Sequence, residues 1–150
     1  MSKLLVVDDE KNMRAMLRDV LESEGHEAVA CADAESALKA MKRDAFDAAI
    51  LDLNLPGVSG MELLRRMHES GQPLPVVMIT AYGSVDSAVE AMRLGAFDFI
   101  IKPFDVTHFA QVVANCLEST ALVRNATRSS PEFLDGRGNR IRIVGDDRKL

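Results

Sequence analysis

Two adjacent carboxylates, Asp8 and Asp9, follow directly on four apolar residues, Leu4 to Val7. A hydrophobic strand that ends in two like charges needs a reason. Helix capping supplies one for a single Asp, since Asp is a favoured N-cap and a helical pattern begins near Asn12. The second is left over. The same juxtaposition recurs along the chain. "AAILD" ends in Asp52, with Asn54 shortly after it; "VVMIT" ends in Thr80; "FDFII" leads into Lys102 and Pro103. Two carboxylates about 5 Å apart repel by roughly 3 kcal/mol at an effective dielectric of about 20. Three of them at neighbouring strand ends therefore require protonation or a bound cation. An oxygen donor set without His or thiolate suits a hard divalent ion, Mg2+ with Mn2+ as substitute, and argues against zinc. The second Asp is best explained as an ion ligand. Asp52 beside such an ion has the chemistry of an oxygen nucleophile toward a phosphoryl group. The ion, Lys102 and the Thr80 hydroxyl would then offset the charge on the phosphoryl oxygens.

The elements that must bring these residues together are legible as an alternation. Apolar runs predict strands at Leu4–Asp8, Glu27–Cys31, Ala48–Asp52, Val76–Thr80 and Phe97–Ile101. Helical patterns lie between them. Met13, Met16, Leu17, Val20 and Leu21 share one face, and Gly25 stops that helix. Asp33 caps a second helix through Ala37, Leu38 and Met41; a third opens at Gly60, buries Leu63, Leu64 and Met67, and ends at Gly71. Ser84 caps a fourth, carrying Val85, Ala88, Val89 and Met92 up to Gly95, and Asp105 opens a fifth that buries Val106, Phe109, Val113, Cys116 and Leu117.

Five βα units with short loops imply an α/β fold, a parallel sheet with helices on both faces. The runs LLVV, AAIL and VVMI are continuously apolar, as strands covered on both sides must be, whereas EAVACA and FDFII are interrupted by polar residues. The second and fifth strands therefore belong at the edges. The order is 2-1-3-4-5, a flavodoxin-like doubly wound (βα)5 three-layer sandwich. In such sheets the chemistry collects at the carboxyl ends of the strands, which is where every residue of the set falls.

Bulk properties agree and exclude some classes. The chain has 150 residues, 47% hydrophobic and 27% charged, enough for one domain and a tail. A net charge of −5 argues against nucleic-acid or anionic-membrane binding by this segment. There is no apolar run of membrane-spanning length and no signal peptide, so the expected location is the cytoplasm. Cys31 and Cys116 fit no metal spacing and read as reduced core residues. Beyond about Val123, "RNATRSSPEFLDGRGNR" loses the apolar pattern. Residues 1–123 are thus expected to form the domain, and residues 124–150 a linker, a tail or the start of a truncated downstream domain. Phe109, Val113, Cys116, Thr120 and Val123 follow a short heptad-like repeat on the fifth helix.

The stretches "LLVVDDE", "LDLNLPGVSGMELL", "MITAYGS" and "GAFDFIIKPF" together resemble the receiver domain of bacterial two-component response regulators over about residues 3–122. They are most similar to receivers of AAA+ activators of the alternative sigma factor. The resemblance implies a phosphoacceptor rather than an enzyme, with weak self-phosphorylation from small phosphodonors and autodephosphorylation. It implies that Asp52 accepts the phosphoryl group and that Asp9, Asp52 and the Asn54 carbonyl ligate Mg2+, with Asp8 acting from behind these ligands or through a water. Thr80 and Lys102 would contact the phosphoryl group, Phe99 would be a switch aromatic, and Asn54 and Tyr82 would govern the hydrolytic water. The implied partners are a sensor histidine kinase and an effector domain. A second copy of the chain is a further one, bound through the fourth helix, fifth strand and fifth helix or through an extended fifth helix. Asp86, Glu90 and Arg93 are the residues expected to pair across that dimer. Two plainer readings stand beside these: Asn54-Leu55-Pro56-Gly57 as only a turn, and Phe99 as only core. The alternatives in function are a single-domain receiver acting through protein contacts, a phosphohydrolase of the haloacid-dehalogenase type, and a flavin-binding domain. Asn54 stands where the dehalogenase type has a second Asp, and "DDEKNMR" would repel a flavin phosphate.

Overall fold

The computed structural model describes residues 2–70, 74–81 and 83–129, the last ten as backbone only. The described residues fall into two units, the first ending at Leu117 and the second opening at Glu118. The site lies wholly in the first. Its elements alternate: β1 Lys3–Val7, α1 Lys11–Ser23, β2 Glu27–Cys31, α2 Ala34–Arg43, β3 Ala48–Asp52, α3 Gly60–Glu69, β4 Val76–Thr80, α4 Val85–Arg93, β5 Asp98–Ile101 and α5 Val106–Ser129. The strands form one parallel sheet in the order β2-β1-β3-β4-β5, as the texture of the apolar runs requires.

Strand alternation divides the core into two layers. Leu5, Val7, Ala49, Leu51, Val76 and Met78 point to one face and meet α2, α3 and α4 through Ala37, Ala40, Leu63, Leu64 and Ala91. Leu4, Val6, Ala48, Ile50, Val77 and Ile79 point to the other and meet α1 and α5 through Leu17, Leu21, Phe109 and Cys116. Both faces of β1, β3 and β4 are therefore dry, which is why Leu4–Val7 is wholly apolar and β3 and β4 carry no polar residue until their last positions, Asp52 and Thr80.

Local chemistry sets the helix ends. The carboxylate of Asp33 accepts the Ser36 N–H at 2.8 Å, Ser59 Oγ the Glu62 N–H at 3.1 Å, and Ser84 Oγ the Ser87 N–H at 3.0 Å. Gly25 and Gly95 sit at positive φ just past α1 and α4, the left-handed position that closes a helix most cheaply with glycine.

Three expectations need correction. β1 ends at Val7, so Asp8 and Asp9 belong to the turn after it. On α4 only Ala91 is buried, while Val85, Val89 and Met92 are exposed. On α5, Val106 is exposed although Phe109, Val113 and Cys116 are buried. The helical period marks one apolar face on each helix, but α4 packs beside the edge strand β5 and buries only Ala91 among its described residues. The backbone of α5 continues through residues 124–129, beyond the point where the apolar pattern stops. The stop at Gly71, the role of Tyr82, the side chains of Thr120 and Val123, and the reading of residues 130–150 lie outside the described residues.

Both cysteines are buried and unbonded to each other. Burial, with a smaller push from Asp98, drives the Cys116 thiol up to about 12, and burial also raises Cys31. Iodoacetamide at pH 8 is therefore expected to label neither cysteine in the folded protein and both in urea, read by intact mass. Rapid labelling of Cys116 without denaturant would contradict this packing.

Candidate functional site at the carboxyl edge of the sheet

The sequence-predicted residues converge at the carboxyl edge of β1, β3, β4 and β5. One carboxylate oxygen each from Asp8, Asp9 and Asp52 lies within 4.8 Å of the others. Asp8 is fully buried, Asp52 nearly so, and Asp9 is exposed. Lys102 Nζ reaches in from the end of β5 and donates to Asp8 Oδ2 at 2.9 Å and Asp52 Oδ2 at 3.1 Å. The Lys102–Pro103 peptide is cis.

Each side chain is held by its own turn. Asp8 Oδ1 accepts the Glu10 N–H at 2.9 Å, and its backbone N–H donates to the Cys31 carbonyl on β2 at 3.1 Å. Neither aspartate caps α1, since Glu10 holds the N-cap position without a side-chain bond. The plain capping explanation for "DD" therefore fails. Asp52 Oδ1 accepts the Asn54 N–H at 3.0 Å, and Asn54 Nδ2 donates to Thr80 Oγ1 at 3.0 Å. Asn54 thus ties the end of β3 to the fully buried Thr80 at the end of β4. Gly57 at positive φ makes the Pro56-Gly57 turn real, which leaves Asn54 available beside Asp52.

Electrostatics follows from this crowding. Burial is the main force raising the Asp52 carboxyl above the ordinary carboxylate range, opposed by the Asn54 N–H and Lys102 and aided by the charge of Asp8. Burial pulls the Lys102 ammonium down, but its bonds to Asp8 and Asp52 outweigh that and hold it above the usual lysine value. The Lys102 ammonium is bonded to two of the three carboxylates, Asp8 and Asp52. The donor set is all oxygen, it converges, and its charge is incompletely balanced, so these residues fit a hard divalent cation.

The site also depends on residues that sequence reading passed over or used only for boundaries. Gly60 opens α3 directly against β3: a Cβ there would collide with the Asp52 carbonyl oxygen and approach the Leu53 Cα at 2.8 Å, while the Gly60 N–H donates to the Leu53 carbonyl at 2.8 Å. Gly60→Ala is expected to cost roughly 1–3 kcal/mol, the range for forcing atoms into a packed site, read by urea unfolding. A cost below about 0.5 kcal/mol would contradict that contact. Gly83, in the loop entering α4, has the Phe99 ring and Ile101 side chain in the space its Cβ would take. Phe99 itself is half-buried against the α2–α3–α4 core layer. Arg14 Nη1 donates to the Asp8 carbonyl at 2.9 Å. No sequence signal marked Arg14, because its partner is a backbone atom.

Residues 4–114 match the family described as the response regulator receiver domain. This chain belongs to that family. Among its relatives, the response regulator protein FleR of Pseudomonas aeruginosa is 45% identical over 113 residues, covering 75% of this chain and 24% of FleR. The sporulation initiation phosphotransferase F of Bacillus subtilis is 34% identical over 115 residues, covering 77% of this chain and 93% of that protein. The crystal structure of NtrX from Brucella abortus aligns with a TM-score of 0.79 at 39% identity, covering 84% of this chain and 29% of NtrX. A receiver domain protein from Clostridium thermocellum aligns with a TM-score of 0.76 at 27% identity over 99% of its length. The receiver thus spans only about a quarter of the longer regulators, such as FleR at 24%.

Receiver domains are phosphorylation switches of two-component systems; they accept a phosphoryl group rather than turn over a substrate, and they bind Mg2+ at an acidic pocket. In this receiver the acidic group is Asp8, Asp9 and Asp52. Response regulators interact with histidine kinases and carry output domains. Among the described residues no helix is long and apolar enough to cross a membrane.

Proposed function

We propose that this receiver accepts a phosphoryl group on Asp52 from a sensor histidine kinase and passes the event to an output through its α4–β5–α5 face. The observation that carries the proposal is the convergence of Asp8, Asp9 and Asp52 with Lys102 bonded to two of them. A carboxylate oxygen of Asp52 attacks phosphorus, the donor's nitrogen or oxygen leaves with the bond electrons, and an acyl phosphate results. Asp8, Asp9, Asp52 and the Asn54 carbonyl are the donors that would hold Mg2+, which when bound offsets the charge of nucleophile and phosphoryl oxygens. Lys102 exchanges its bond to Asp52 for one to a phosphoryl oxygen. The Thr80 hydroxyl takes another such oxygen. Asn54 stands where it can orient or obstruct the water that later hydrolyses the acyl phosphate. Incubation with Mg2+ and acetyl phosphate, followed by peptide mapping, tests this: the added mass should sit on Asp52, and a label elsewhere would remove the proposal.

Thr80 and Phe99 link the site to the face. Movement of Thr80 draws the loop that contains Gly83, and Gly83 lies against Phe99 and Ile101. A phosphoryl group that binds Thr80 in one arrangement and not in the other shifts the balance between the two. The face itself is suited to a partner. Val85 is 78% exposed, Val89 49%, Met92 48%, Ile101 47% and Val106 44%, a cluster of the sort that marks an interaction surface.

We take that partner to be a second copy. Glu90 and Arg93 enter it differently from the sequence expectation: Glu90 already pairs with Arg65 at 3.3 Å and with Arg93 at 3.6 Å within the chain, so the apolar residues and Asp86 remain for the dimer. Sedimentation with beryllofluoride and Mg2+ should show a doubled mass, and an unchanged mass would exclude dimerisation by this route. In this reading residues 1–123 are the receiver of a cytoplasmic regulator, and 124–150 lead to an output domain that controls transcription.

A further inference from the structure

α1 and α5 carry no acid in their first turns. α2, α3 and α4 each carry an acid in the first turn, Glu35, Glu62 and Asp86, where the helix dipole favours negative charge. α1 has none; it opens on Lys11, with Arg14 following, and its N-cap Glu10 makes no side-chain cap bond. A basic opening of a helix is unfavourable against the helix dipole.

The compensation lies in where Arg14 points. Side chains on a helix lean toward its N-terminus, and Arg14 runs back past Glu10 to place Nη1 2.9 Å from the Asp8 carbonyl. With that bond every polar group of Asp8 has a partner. Its N–H is on Cys31, Oδ1 on the Glu10 N–H, Oδ2 on Lys102, and its carbonyl on Arg14. The carbonyl of Asp8 belongs to the peptide plane that leads into Asp9. Asp9, in contrast, is exposed and makes no side-chain hydrogen bond among the described residues. Its carboxylate is placed only by the backbone beneath it, and that backbone is held from two sides, by the Asp8 carboxylate on the Glu10 N–H and by Arg14 on the Asp8 carbonyl.

We infer that Arg14 is a positioning residue for the divalent cation: it holds the Asp8–Asp9 peptide so that the Asp9 carboxylate faces Asp52. The inference rests on the receiver reading of the acidic site. It concerns geometry rather than charge.

This distinction gives the test a sign. Removing a positive charge near an acidic site should tighten cation binding if charge is what matters. Loosening the turn should weaken it. Mn2+ binding is measured by electron paramagnetic resonance on the full chain, unaltered and as Arg14→Met and Arg14→Gln, with melting followed by circular dichroism to select whichever variant folds. The dissociation constant is expected to rise on the order of tenfold, the lower end of the loss that follows removal of a residue supporting a metal ligand. A constant that is unchanged or smaller in a folded variant overturns the role of Arg14 while leaving the site intact. Failure of the unaltered protein to bind Mn2+ overturns the receiver reading of the site, and the role of Arg14 with it.

Discussion

Asp52→Asn is expected to reduce labelling by acetyl phosphate and Mg2+ to background. Asparagine has nearly the shape of aspartate, and its Oδ1 can still accept the Asn54 N–H that now binds Asp52 at 3.0 Å. It has no anionic oxygen to attack phosphorus, so the first bond cannot form. The fold should survive, because Lys102 gives up its bond to residue 52 but keeps the one to Asp8 at 2.9 Å, and one of the mutually repelling carboxylates is gone. Melting by circular dichroism should give a midpoint no lower than that of the unaltered protein. Intact mass after exposure to acetyl phosphate then separates chemistry from folding. A folded Asn variant that still gained a phosphoryl group at the usual rate would show that another residue accepts it.

Lys102→Met should have the largest effect on stability. Lys102 holds Asp8 at 2.9 Å and Asp52 at 3.1 Å, and Asp8 has no exposed side-chain surface. Removing one partner of a buried ion pair costs about 3–5 kcal/mol, because the remaining charge is left without compensation. In a domain of this size that lowers the melting temperature by roughly 10 °C or more. The loss should depend on the divalent ion. A cation at about one hundred times its dissociation constant contributes about 2.7 kcal/mol, and in the variant it no longer competes with an ammonium for the same oxygens. Added Mg2+ should therefore raise the melting temperature further for Lys102→Met than for the unaltered protein. Destabilisation below about 1 kcal/mol without Mg2+ would mean that the carboxylates tolerate one another, and the electrostatic account of the site would be wrong.

Gly60 and Arg14 show where the two kinds of information part. Gly60 is visible in the sequence as the opening of a helix after Ser59. That its missing Cβ is what lets α3 touch the backbone of Asp52 depends on how closely two elements approach. Arg14 looks like an ordinary basic residue on a helix surface until its bond to the Asp8 carbonyl is seen. The stripe Val85, Val89 and Met92 carries the right period for burial, and the structure leaves it open. Period reports which residues share a face and says nothing about whether a neighbour covers it.

Local pattern was enough to place the five βα units, to put β2 and β5 at the edges, and to gather Asp8, Asp9, Asp52, Thr80 and Lys102 at one edge. These follow from side-chain alternation and from the cost of burying polar groups, both written within a few residues of chain. Tertiary structure alone decided that Lys102 bridges residues 94 and 50 positions away, that Asn54 joins Thr80 across 26, and that α4 presents its apolar face outward. Such contacts arise from the distance and angle between packed elements, and no local pattern encodes them.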